Sequence, residues 1–469
     1  MNAITNINPY LSGNFAPLSS EDDFAELPVT GRLPSDLRGT LYRNGPNPQF
    51  APRDGNYHWF LGDGMLHAFQ IADGKISYSN RFVRTPKWEA EHKAGRALFG
   101  SWGNPLTADP DYVGKDSGVA NTNIVWHAGK LLALEEGHQP FAVDPVTLIS
   151  ENYVPLAGEA GRFTAHPKID PVTGEMLFFG YGVGALPLSA GMVFGVADRE
   201  GMTTRLDRFE APFASMVHDF MVTRGHVMFP ILPLTLSLER AMTGLPPVAW
   251  EPGKGARVGV IARDQRIETM RWFATDACYV FHVMNAWEEG SRLFADVMEY
   301  PNAPLFPNAD GSQGKPAAAI LVRWTFDLAG ASDKIHREIL CDAAGEFPRI
   351  DDRRAGLSYR HGYFSRNSRN EPDVRFDSIA HLDLDLDRGR EDFYVLPKGD
   401  VTSEPVFVPR SAAAPEGEGW LLAVVYRGHE NRSDLLVFDA ERVAEGPVAV
   451  ACLPRRVPFG FHGNWRCLD

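Results

Sequence analysis

Asp170-Pro-Val-Thr-Gly-Glu-Met-Leu-Phe-Phe-Gly180 is a turn followed by a short apolar run, and similar units recur along the chain. Pro171 and Gly174 supply the reversal, and 176–180 is a run of strand length rather than helix length. Runs 66–71 before Ala72-Asp-Gly, 131–134 after Ala128-Gly-Lys, and 227–229 after Thr223-Arg-Gly read the same way. So do 420–425 and, past a polar loop, 435–438. Turn residues at this spacing predict many short antiparallel strands. Amphipathic helices of useful length are scarce, and 88–99 is the best candidate. The polar, Pro/Gly-rich windows 51–57, 302–315 and 412–419 are short enough to be loops. The expected fold is all-β, and repeated hairpins over 469 residues favour a β-propeller formed as one domain, 1–469. No tight repeat fixes the number of blades.

Bulk properties narrow the function. The chain is 44% hydrophobic and 23% charged, as soluble globular proteins are. A formal charge of −14, without clustered Lys and Arg, argues against a nucleic-acid partner. Cys278, Cys341, Cys452 and Cys467 form no C-x-x-C pair, so neither a zinc ribbon nor a redox dithiol is expected. The first ten residues lack the basic start and apolar core of a secretory signal. No stretch reaches the roughly 18 apolar residues of a spanning helix. A reducing cytoplasm with free thiols is the expected setting.

Of the fourteen histidines, His58, His92, His127, His138, His336, His361, His381 and His429 have polar or turn-like neighbours and are expected to be solvated. His166, His218, His282 and His462 adjoin small or apolar residues, which points their rings inward. A buried imidazole needs a hydrogen bond or a metal. Any one of the four alone reads more simply as a satisfied core residue. Their separations of 52 (218 − 166), 64 (282 − 218) and 180 (462 − 282) are too long for a local metal motif. Such ligands meet only if the chain returns repeatedly to one place, as propeller blades do.

A longer set of segments resembles the carotenoid cleavage oxygenase family, including its bacterial apocarotenoid- and stilbene-cleaving members. They run from Asn8-Pro-Tyr-Leu-Ser-Gly-Asn-Phe-Ala-Pro and Gly39-Thr-Leu-Tyr-Arg-Asn-Gly-Pro-Asn-Pro to Ala165-His-Pro-Lys-Ile-Asp-Pro and Val217-His-Asp-Phe. Phe281-His-Val-Met-Asn-Ala-Trp-Glu-Glu-Gly, Glu346-Phe-Pro-Arg-Ile, Ser403-Glu-Pro-Val-Phe-Val-Pro-Arg and His462-Gly-Asn-Trp complete it. The resemblance implies a seven-bladed β-propeller with a loop/helix cap over one axial Fe(II) held by His166, His218, His282 and His462. With O2 as co-substrate, the iron would split a C=C bond into two carbonyl products. It further implies that Glu136, Glu346 and Glu404 accept hydrogen bonds from His218, His282 and His462. Such outer carboxylates fix the tautomer of a ligating ring and offset the cation's charge. Family precedent also places Thr122 beside a vacant coordination position; a plain turn hydroxyl explains it equally well.

Two departures bear on substrate. The family's Phe-Asp-Gly-Asp-Gly-Met reads Phe60-Leu-Gly-Asp-Gly-Met65 here, with one acid gone. Stilbene-cleaving relatives hold the substrate's 4-hydroxyl with a tyrosine and a lysine, and Trp102 and Glu135 stand at those places. The expected substrate is thus an apocarotenoid or another elongated aromatic alkene, with a stilbene or phenylpropene as the alternative. Phe60, Phe99, Trp102, Glu135, Phe281 and Trp287 are the candidate pocket residues, and each aromatic reads equally well as core. The apolar stretch 227–237 is either a buried strand or a peripheral membrane contact. A metal-free binding propeller, a metal hydrolase and an iron-dependent isomerase are the competing classes.

Overall fold

The structure is a computed structural model that describes residues 8–53, 57–100, 107–369, 375–385 and 390–468. Among them, seven antiparallel sheets have four or more strands, and Leu234–Leu236 with Val248–Trp250 forms an extra two-stranded ribbon. This is the strand plan of a seven-bladed β-propeller; the turn pattern led one to expect a propeller, and the resemblance its seven blades. Chain contacts define two compact units, one of 1–154, 424–436 and 449–469, the other of 155–423 and 437–448.

In the first unit, Gly39–Pro46 is the pivot. It pairs with Gly64–Ala72 on one side and with the C-terminal strand Gly463–Cys467 on the other, Arg43 opposite Gly463. Gly45 permits a close approach, since a Cβ there would lie 2.6 Å from the Gly460 Cα. The unit's second sheet is the meander Asn123–His127, Lys130–Leu134, Phe141–Val143 and Ser150–Tyr153. Its core holds Tyr42, Leu66, Ile124, Leu131 and Phe141.

The expected helix over 88–99 is instead Pro86–Ala94. Thr85 caps its N-terminus, Pro86 occupies the first turn, and Gly95 stops it at φ 65°. The backbone N–H groups of Leu98 and Phe99 then donate to the Glu91 carboxylate instead of extending the helix. Lys87 on the buried face bridges Asp63 (2.6 Å) and Glu91 (3.0 Å), fastening the helix to the Gly62-Asp-Gly loop.

The second unit holds four four-stranded meanders, whose first strands are Lys168–Ile169, Met221–Val222, Tyr279–Glu289 and Gly345–Ile350. Phe179, Phe194, Phe220 and Phe229 pack one core here. Residues 227–236 are buried throughout, in strand His226–Ile231 and the ribbon, which favours the buried-strand reading of 227–237. No helix among the described residues is long and apolar enough to cross a membrane.

Candidate metal centre

The singled-out residues fall at equivalent places in their sheets. Thr122, His166, His218 and His462 immediately precede, or lie a few residues before, the strands Asn123–His127, Lys168–Ile169, Met221–Val222 and Gly463–Cys467. His282 and Glu346 lie early in Tyr279–Glu289 and Gly345–Ile350, and Glu404 lies between Val401–Thr402 and Val406–Pro409. The long gap between His282 and His462 therefore contains two sheets whose corresponding residues are glutamates.

His166 Nε2 stands 3.1 Å from His218 Nε2, which stands 3.3 Å from His282 Nε2. One ring nitrogen from each of His166, His218 and His282 lies within 4.8 Å of the other two. Two imidazole nitrogens bound at right angles to one ion, at about 2.1 Å each, would be about 3 Å apart. The spacing thus fits a shared cation, and neutral imidazole nitrogens suit first-row metals.

His282 shows how the tautomer is set. Its Nδ1–H donates to Glu346 Oε2 at 2.5 Å, which leaves the Nε2 lone pair facing the other rings. Burial works hardest against a charged ring here. Glu346, with Asp219 and Glu404, outweighs it and holds the His282 pKa above its ordinary value. Strand Tyr279–Glu289 shifts register between Val280 and Val283 and again before Asn285, an irregularity that re-aims side chains. Strand Gly345–Ile350 is likewise irregular after Glu346, where Phe347 sits at φ 55° and stacks on His282. The Phe347 N–H donates to the same Glu346 oxygen at 2.6 Å.

His462 is 4% exposed, and its backbone N–H donates to the Thr122 carbonyl. Asn44 sets both segments: its N–H donates to His462 O, and its Nδ2 donates to Ala120 O and Asn123 O at 2.8 Å each. Thr122 Oγ1 donates to Asn121 Oδ1, and Asn121 Nδ2 donates to Phe60 O and Gly62 O. Glu404 is buried, 3.4 Å from Arg349 Nη1, and Glu136 is half-buried.

The candidate pocket residues scatter more widely. Phe281 packs edge-on to His218, ring centres 5.4 Å apart. Phe60 packs against Phe461, the neighbour of His462. Phe99 and Leu61, the latter standing where the family has an acid, line a cavity of about 350 Å³ with Phe50, Tyr57, Tyr112 and Val119. Trp287 packs on Phe294 and Tyr359, under the Arg323 guanidinium. Glu135 Oε1 accepts from Val119 N–H and lies 2.7 Å from His138 Nδ1. Burial opposes its ionisation, yet His138 and the Val119 and Ala120 amides hold its pKa below the usual carboxylate value. Trp102 lies outside the described residues.

Three histidines expected in solvent are buried instead: His127 (5% exposed), His361 (3%) and His381 (5%). His361 Nδ1 and His381 Nε2 satisfy each other at 2.9 Å, a pairing between two strands that polar sequence neighbours do not reveal. Sequence reasoning also passed over Asn44, Lys168 and Asp219. Only their place inside the Gly39, Ala165 and Val217 motifs hinted at a role.

The family model for retinal pigment epithelial membrane protein matches residues 15–466. The chain is 39% identical to isoeugenol monooxygenase of Pseudomonas putida, over 98% of each. Its structure is similar to lignostilbene dioxygenase of Pseudomonas brassicacearum, with TM-score 0.93, 35% identity and 98% of each chain covered. It is also similar to cobalt-substituted Synechocystis ACO, with TM-score 0.85, 28% identity, and 96% of this chain and 97% of that one covered. On sequence and structure alike, this chain belongs to the retinal pigment epithelial membrane protein family, the carotenoid cleavage oxygenases.

Proposed function

We propose that this protein is an Fe(II)-dependent dioxygenase that cleaves a C=C bond of an apocarotenoid or a related elongated aromatic alkene, giving two carbonyl products. The observation that carries this reading is the convergence of imidazole nitrogens at 3.1 and 3.3 Å, a neutral donor set suited to one divalent ion. His166, His218, His282 and His462 would hold one iron per chain. A bound iron would supply O2 activation. The rest falls to the protein's own groups. Glu346 keeps the His282 Nδ1 proton in place, and Glu136 and Glu404 are assigned the same task at His218 and His462. Phe281 and Phe60 would give an alkene apolar walls, and Thr122 would restrict water beside the rings. The chain is proposed to act as one domain in a reducing cytoplasm, which suits its free cysteines.

The 39% identity to isoeugenol monooxygenase favours a second substrate class, the phenylpropenes. Glu135 bears on the choice, because an ionised carboxylate near a phenolate site repels the anion. The test is an Fe(II)-loaded sample offered a long apocarotenal, isoeugenol and a 4-hydroxystilbene, in air and under strict anaerobiosis. Two carbonyl products in air only, with the apocarotenal preferred, are expected. Isoeugenol turned over best would move the substrate to the phenylpropenes. Product without O2 would replace the dioxygenase with an isomerase or a hydrolase.

A further inference from the structure

One carboxylate joins the three chain segments that carry His166, His218 and His282. Asp219 follows His218 directly and is 3% exposed. Its Oδ2 accepts the backbone N–H of Val283, the residue after His282, at 2.9 Å. Its Oδ1 takes Lys168 Nζ at 2.7 Å, two residues after His166, and also the N–H of Phe220 at 2.8 Å. The Val283 bond falls between the two register shifts of Tyr279–Glu289, which is an edge strand of its sheet. A buried amide left unmet costs about 1–3 kcal/mol. Asp219 meets that amide and so fixes the backbone from which His282 projects. Lys168 is the natural counter-charge for a carboxylate this buried, and it ties the same anchor to the His166 segment.

We infer that Asp219 and Lys168 are positioning residues for the metal centre, setting the mutual placement of His166, His218 and His282 without touching the ion. The inference rests on the proposed metal centre. It follows from the geometry that losing the anchor loosens the donor set while the blades, with their own ladders and cores, stay folded.

The test is Co2+ titration of the metal-free full-length chain, read by the cobalt d–d absorption, with near-UV circular dichroism to check folding. The wild type should bind one Co2+, and Asp219→Asn should bind about tenfold more weakly, within the range for lost outer partners of a metal site. Its d–d band should also shift, because ligand angles set that spectrum. Lys168→Met should change affinity in the same direction by less, and Lys168→Arg should restore it. Lys168 is partly exposed, so the Met and Arg variants decide the matter even if Asp219→Asn does not fold. Folded variants with wild-type affinity and spectrum, whether or not their Tm falls, would overturn the inference and leave the metal centre standing. A wild type that takes up no Co2+, or a His282→Ala variant that binds it equally well, would remove the metal centre itself and this inference with it.

Discussion

Glu346→Gln isolates the charge of the carboxylate behind His282. One oxygen of Glu346 accepts two hydrogen bonds, from His282 Nδ1–H at 2.5 Å and from Phe347 N–H at 2.6 Å. A glutamine of the same size keeps both if its amide oxygen takes that place, so the perturbation is the loss of negative charge. Hydrogen bonds to charged groups contribute about 1.5–3 kcal/mol and neutral ones about 0.5–1.5 kcal/mol. The ring's hold on a metal should fall by roughly 1–2 kcal/mol, or about five- to thirtyfold in Kd. Glu346→Ala strands two buried N–H groups as well, so it should weaken binding further. Dialysis against graded chelator, with metal content measured per chain, gives the order wild type, then Gln, then Ala. Equal retention by Glu346→Gln and wild type, at a chelator strength that strips His282→Ala, would refute the reasoning.

Other consequences follow from the same contacts. His282→Ala should lose iron and activity together, whereas His92→Ala should lose neither, since His92 is exposed and stacks on Trp88; elemental analysis with an O2-uptake assay checks both. Asn44→Ala removes two hydrogen bonds, to the Ala120 and Asn123 carbonyls, at a cost of about 1–3 kcal/mol, so thermal denaturation should show a lower Tm. A wild-type Tm would mean that the Asn44 bonds contribute little. Burial holds the pKa of His67 down to about 3 and that of His381 to about 4, below the unfolded value near 6.5. The unfolded state therefore binds more protons between those values, and stability falls as pH drops from 6.5 towards 4. At pH 5 each ring should cost about 2 kcal/mol, and His67→Gln should flatten a chemical-denaturation profile over that window.

The class of fold and the candidate donors were legible in the chain before it folded. A turn such as Asp170-Pro-Val-Thr-Gly and a run such as 176–180 are local chemistry, set by residues a few positions apart, and they became the hairpin into Met176–Tyr181. The flanks of His166, His282 and His462 marked buried rings for the same local reason, whereas His218, read the same way, is only half-buried. Thr85, Pro86 and Gly95 would have bounded the helix correctly had they outweighed the apolar residues after it. Which groups meet was settled by contacts between distant segments. The Glu346–His282 and Asp219–Val283 bonds each span 64 residues, and the Arg43–Phe461 bond spans 418. His361 looked solvated until a neighbouring strand supplied His381. Periodicity records the face a side chain takes within its own strand. Its partner comes from a strand elsewhere in the chain, placed by blade packing and by irregularities at His282 and Glu346 that no local pattern encodes.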